Sequence, residues 1–259
     1  MCYSTRTTKK IGELEDYYEV ERLLGETIDS ETELIHNHAN GWAHPNMWIL
    51  PQQRKGFVIP SKWGIMPATS LGAEFKDYFA KNRGAFGGLN LRCEDIFKNY
   101  MYEDNIYTKR CVIPVDGFFE PHTTAVKVKG KPFKVPFYFK RADDKPMSLA
   151  GIYNVTNDKM VTFSIFTNKA TPLFEDIHNQ PSNKHGDFRR PVVLQEGDVE
   201  YWLEDGLDKE EIVDIMDNGL EDAYFDTWPI SKDLHKRNGE GDRPDIIDKV
   251  EYEEIEIRY

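Results

Sequence analysis

Cysteine is scarce in this sequence. The three residues, Cys2, Cys93 and Cys111 in a chain of 259, have spacings that make neither a disulfide framework nor a CxxC metal site, so reduced thiols are expected. No apolar run approaches the roughly 18 residues of a membrane helix, and the first residues lack the apolar core of a secretory signal. No membrane partner and a cytoplasmic location are therefore expected. The P-loop, the dinucleotide-binding glycine fingerprint, HExxH and the EF-hand loop are all missing, which removes the enzyme classes they mark. His36 and His38 lie in a polar stretch without Cys or carboxylates at ligand spacing, so no metal and no other cofactor is expected. Repeats, low-complexity linkers and composition breaks are also missing. A single domain over residues 1–259 is predicted, with a monomer as the default state.

The chain also lacks an excess of basic charge. Its 33 Lys and Arg against 45 Asp and Glu give a net charge of −12, which at first sight argues against nucleic acid. The distribution reverses that reading. Residues 196–259 form an acidic C-terminal part with 22 acidic and 7 basic residues, whereas residues 41–140 hold 15 basic and 8 acidic ones, a balance of +7. One part of the chain can thus present a positive face while the whole stays acidic.

What is present is 39% hydrophobic and 13% aromatic residues, enough for a large core. Ile11, Leu14, Tyr18 and Leu24 repeat at helical spacing among acidic residues and predict an amphipathic helix after an extended start at 2–7. Residues 45–67 read as turns and short strands, and 73–81 and 94–101 as helices. A β-rich middle follows at 111–119, 126–128, 133–139, 148–155 and 161–167, with a turn at Lys129-Gly130-Lys131. Short helices are predicted at 172–178, 198–203 and 209–216, and strands at 191–194 and 250–258. A bulge is expected at Glu253-Glu254, and an ordered loop at 231–245. Strands outnumber helices and are joined mostly by short turns, so an α+β, mostly antiparallel architecture is expected.

Cys2 carries the most distinctive chemistry. Removal of Met1 before a small residue would leave an α-amine and a thiol on adjacent carbons, both with a usable nucleophilic fraction near neutrality. Such a 1,2-aminothiol condenses with an aldehyde through its amine, and the thiol then closes a thiazolidine ring. Further along come Asn90-Leu91-Arg92, then Asp116-Gly117-Phe118-Phe119-Glu120, then Ala150-Gly151-Ile152-Tyr153, Ile177-His178-Asn179 and Arg189-Arg190-Pro191, with Trp63-Gly64 before them. In this order, with Met1-Cys2, they resemble the SOS-response-associated peptidase (SRAP) family of abasic-site processing proteins over residues 2 to about 194.

The resemblance implies an SRAP-type domain with a barrel-like β core and flanking helices, and covalent capture of abasic sites in single-stranded DNA through Cys2. In this reading Asn90 orients the reacting N-terminus, Glu120 moves protons and His178 is a general acid or base. Arg92 and Arg189 hold DNA, and Trp63 lies near it. Lyase and autopeptidase activities come with the family. Elementary chemistry asks for the same groups, because imine formation loses water and ring opening protonates an oxygen, which takes two titratable groups beside the amine. The chain departs from the family start at Tyr3-Ser4, leaving an early phosphate contact missing or supplied by Arg6. It has Pro121 where Trp is frequent, and a stretch at 179–188 longer than the family pattern. The alternatives are an N-terminal-nucleophile amidohydrolase and a non-catalytic single-stranded DNA-binding protein.

Overall fold

Runs of β-branched and aromatic residues become strands here, and short acidic segments with apolar residues three or four apart become helices. The computed structural model describes residues 2–22, 34–82, 88–99, 102–182, 185–236 and 239–253. The first half of the chain forms β1 (Ser4–Thr7), α1 (Ile11–Tyr18), β2 (Glu21–Arg22), β3 (His36–Asn40), β4 (Asn46–Pro51), β5 (Phe57–Trp63), α2 (Phe75–Lys81), β6 (Asn90–Arg92) and α3 (Asn105–Thr108). The long strands follow: β7 (Arg110–Val115), β8 (Gly117–Val128), β9 (Lys131–Arg141), β10 (Met147–Val155) and β11 (Val161–Lys169). Then come α4 (Pro172–Ile177), β12 (Arg189–Pro191), α5 (Val199–Trp202), α6 (Lys209–Asp217) and β13 (Phe225–Pro229).

Two sheets result. One is antiparallel throughout, in the order β13-β9-β8-β1-β3. Its β8–β9 hairpin turns at Lys129 and Gly130, both with positive φ, 51° and 77°, as a two-residue turn between twisted strands requires. The other runs β12-β11-β10-β7-β4-β5-β2, with β6 beside β11. Because β11 also pairs with β5, through Thr162 with Lys62 and Phe163 with Trp63, this sheet curls into a ring. The fold is α+β as expected, and the barrel-like core is a ring that does not close as a barrel. Its pairings of β11 with β5, of β11 with β6 and of β2 with β5 are parallel, so the sheet is mixed.

The main core lies between the two sheets. Phe118, Phe139 and Phe174 stack there, with ring centroids 5.1 Å apart for Phe118–Phe139 and 4.8 Å for Phe139–Phe174. A second cluster joins Ile11 and Leu14 of α1 to Trp202 and to Ile212, Ile215 and Met216 of α6, and so fastens the acidic C-terminal part to the ring through its apolar face. After β13 the chain crosses the outer face of the antiparallel sheet as a strap. Its Leu234 and Ile246 pack on Phe119 and Tyr138, and Asp242 accepts the backbone N–H groups of Asn37 (2.7 Å) and His38 (3.1 Å) on β3.

Some expectations are corrected. Residues 250–253 are irregular, since the antiparallel sheet already ends on β13; only Lys249 makes a bridge, to Ile230. Residues 254–259, Leu24 and residues 100–101 lie outside the described part. The segment expected as a helix at 94–101 is a single 3-10 turn at Ile96–Lys98. The strand expected at 191–194 is instead Arg189–Pro191, and beyond it only Val193 makes a bridge, to Leu149. β13 was not foreseen, because Asp226 and Pro229 obscure its alternation.

Gly117, three residues before Glu120 on β8, is packed so closely that a Cβ would stand 2.4 Å from both the Phe139 carbonyl oxygen and the Tyr138 ring. Gly117→Ala is expected to destabilise the fold by about 1–3 kcal/mol. Urea unfolding would show this as a lower midpoint with an unchanged slope.

Candidate active site

Cys2 lies at the entrance to β1, which is held between β3 and β8 with Thr5 opposite both Ala39 and Phe118. The residue is wholly buried in the main core, and its Sγ–H points to the Ser4 carbonyl at 3.8 Å. Burial pushes the thiol pKa well up, the charge of Glu120 pushes it the same way, and the chain's terminal ammonium opposes both. The resting sulfur is thus a protonated thiol. Asn90 reaches it from the other sheet. β6 runs parallel to β11 with Asn90 opposite Ile165, and Asn90 Nδ2 donates to the Cys2 carbonyl at 2.8 Å. Asn90 Oδ1 is buried and takes no hydrogen bond among the described residues.

Glu120 is 1% exposed, the fourth residue of β8. His178 Nδ1 stands 2.9 Å from its Oε2, within ion-pair distance. Burial would raise the carboxyl pKa, but the terminal ammonium and His178 outweigh it and hold Glu120 below the usual carboxylate range. The pair is aligned by a clamp at the end of α4. There His122 Nδ1 donates to the Ile177 carbonyl at 3.0 Å, and Asn179 accepts the Thr123 N–H at 2.8 Å and donates to the Thr123 carbonyl at 2.9 Å. With Nδ1 turned to Glu120, proton exchange with a substrate falls to Nε2 of His178.

Tyr3, Ser4, Glu120 and His178 line an open cleft of about 550 Å³, with Trp42, Lys134 and His235 around it. Trp42 is 53% exposed and tilts against Tyr3 with ring centroids 5.1 Å apart. Three further residues singled out in the sequence are placed differently. Trp63 is fully buried, stacked on Phe163 at 6.1 Å and donating from Nε1 to the Leu89 carbonyl at 2.9 Å, so its ring offers no face to a base. Arg189 borders the cleft but is 2% exposed, with its guanidinium on Glu94 at 2.5 and 2.9 Å and on Asp187 at 3.2 Å. Arg92 forks onto Asp187 at 3.1 and 2.7 Å. Both arginines are engaged by carboxylates; Arg189 is buried, whereas the Arg92 side chain remains 20% exposed. The long 179–188 stretch supplies that Asp187, and its Gln180, Pro181 and Ser182 also line the cleft.

A family model for the SOS response associated peptidase matches residues 1–237. The chain belongs to the SRAP family. Abasic site processing proteins from Saccharomyces cerevisiae and Bacillus subtilis are each 26% identical to it, over 191 and 176 residues. The match covers 70% of this chain and 45% of the yeast protein, less than half of that relative's length. For the Bacillus protein the shares are 63% and 68%. A crystal structure of a Bacteroides thetaiotaomicron protein superposes with a TM-score of 0.77 at 25% identity, covering 96% of this chain and 100% of the other.

Within this SRAP domain the structure brings Cys2, Asn90, Glu120 and His178 to one end of β1, although 88 residues separate Cys2 from Asn90. The clamp residues His122 and Asn179 and the exposed Trp42 were not foreseen. Trp42 had a signal in the turn Asn40-Gly41-Trp42-Ala43, where a large aromatic ring has little core to enter.

Arg92 holds the Asp187 carboxyl at about 2. A depressed folded pKa stabilises above the unfolded value, about 3.9, and that contribution fades as pH falls through about 2. Asp187→Asn is therefore expected to lower stability at pH 7, and its deficit against the unsubstituted protein should shrink as pH falls from about 4 toward about 2 in urea titrations.

Proposed function

We propose that this protein captures abasic sites in single-stranded DNA by forming a thiazolidine between C1′ of the opened sugar and Cys2, after Met1 has been removed. The observation that carries the reading is the convergence of a buried, ionised Glu120, its partner His178 and the Asn90 amide on Cys2, beside a cleft open to a strand. Membership in a family whose curated relatives are named abasic site processing proteins supports it.

The chemistry follows from these positions. Removing Met1 leaves the Cys2 amine, for which the buried Asn90 Oδ1 is a ready acceptor, so the nitrogen is held beside the carbonyl that Asn90 Nδ2 already fixes. The amine attacks the C1′ aldehyde to give a carbinolamine. Protonated His178 gives its Nε2 proton to the departing hydroxyl, water leaves, and the carbinolamine N–H proton returns to Nε2 as the imine forms, so the imidazolium that Glu120 stabilises is regenerated. The thiol then adds to the imine carbon and its proton passes to the imine nitrogen, which closes the ring with no atom left over. This order suits a thiol that burial and Glu120 keep protonated at rest: the amine acts first. Trp42, exposed on the cleft wall, is a surface on which a neighbouring base can stack.

The deciding experiment incubates single-stranded DNA carrying one abasic site with the protein and resolves the products on a denaturing gel. The processed protein is expected to give a stable adduct. Cys2→Ala, which keeps the amine, should lose that adduct yet give a borohydride-trappable imine and some strand cleavage. Glu120→Gln and His178→Ala should each slow capture by about 10²-fold or more. A stable adduct from Cys2→Ala without borohydride, or efficient capture by a verified Met1-retaining form, would sink the mechanism.

A further inference from the structure

The outer face of the antiparallel sheet holds a second hollow, of about 400 Å³, lined by Arg6, Lys9, Tyr138, Lys140 and Trp228 among others. The strap separates it from the cleft, since Leu234 borders the cleft and Ile247 the hollow. Ser4 lines the cleft and Arg6 the hollow. The Arg6 contact to phosphate that the sequence left open is therefore not made inside the cleft.

Arg6 is 8% exposed, and its Nη1 is shielded from water without a hydrogen-bond partner among the described residues. Burying a guanidinium nitrogen in this way is costly, and native proteins seldom leave such a group unmatched. The carboxylates around the hollow do not relieve it. Asp116 accepts the N–H and hydroxyl of Thr8 at 2.5 Å each and the Lys9 N–H at 3.3 Å, Glu13 accepts the Lys10 N–H at 3.2 Å, and Asp144 pairs with Lys140. Among the described residues, Arg6 and Lys9 form no ion pair.

We propose that this hollow is a phosphate-binding site, with the Arg6 guanidinium as its principal ligand and the Lys9 ammonium as its second cation. A guanidinium presents parallel N–H donors that match two phosphate oxygens, and Arg6 lines the hollow with no ion-pair partner among the described residues. The phosphate belongs either to the backbone of a DNA strand that leaves the cleft over the strap or to a free phosphate or phosphomonoester.

Thermal unfolding of the full chain, with chloride replaced by inorganic phosphate at constant ionic strength, tests the site. A saturable rise in midpoint is expected, with apparent affinity about tenfold or more weaker in Arg6→Met. Lys9→Gln, on a half-buried lysine whose replacement leaves the sheet intact, should weaken it several-fold and covers the case in which Arg6→Met does not fold. Binding of an undamaged single-stranded oligonucleotide in phosphate-free buffer then assigns the source. Affinity that falls in Lys9→Gln and on adding inorganic phosphate supports the site and assigns it to a DNA backbone; unchanged affinity beside a saturable phosphate effect supports it as a site for free phosphate. No saturable effect in the unsubstituted protein, or the same effect in both variants, overturns the proposal. Both variants should still capture an abasic oligonucleotide at saturating concentration, so failure here leaves the Cys2 reading intact.

Discussion

The carboxylate of Glu120 sits in the middle of a sheet with almost no water around it, and a charge in that position needs compensation from groups fixed within a few ångströms. His178 provides part of it at 2.9 Å. That contact demands that the end of α4 be held against β8, and the clamp of His122 and Asn179 on the two backbones does so. Phe174, one turn earlier on α4, is wholly buried against Phe139, so the helix is anchored by the core at one end and by the strand at the other. Burial, and after it the charge of Glu120, raises the pKa of the neighbouring thiol. Thus one buried charge links core packing, helix placement and the electrostatics of the Cys2 thiol.

The same reasoning explains why cations prominent in the sequence are scarce at the surface of the site. Arg189 and Arg92 converge on Glu94 and Asp187 and tie β6, β12 and the 179–188 stretch together. Arg110 is likewise consumed within the fold, donating to the carbonyls of Trp202 at 2.7 Å and Ile106 at 2.6 Å. A positive balance over a hundred residues is therefore a poor guide to surface potential, because each buried guanidinium is removed from the face it was expected to supply. Arg6 is the contrast, since its buried Nη1 has no such partner among the described residues.

The two sheets divide the work. The antiparallel sheet carries Glu120 and the first residues after Cys2, and the ring carries Asn90 on a short parallel strand whose position is set by pairing with β11. The site therefore exists only where the sheets meet, and β1 holds that junction between two neighbours. The strap over the outer face limits the cleft on one side and closes off the hollow around Arg6 on the other.

The sequence by itself determined the α+β class, most of the strands from 110 to 169, and α1, α4 and α6, because local alternation and helical spacing suffice where one face of an element is buried. It also determined Cys2, Asn90, Glu120 and His178 as candidates, through residue types in a recurrent order. It could not say which cations face solvent, since that depends on carboxylates such as Glu94 and Asp187, whose approach to Arg92 and Arg189 is made by folding. Trp63 illustrates the same limit: an aromatic residue beside glycine reads equally as a stacking surface or as core, and only its packing on Phe163 decides for the core. The parallel closure of β11 on β5, the strap, the clamp on His178 and the isolation of Arg6 were decided by tertiary structure alone. Each joins segments far apart in the chain, and no local periodicity encodes such contacts.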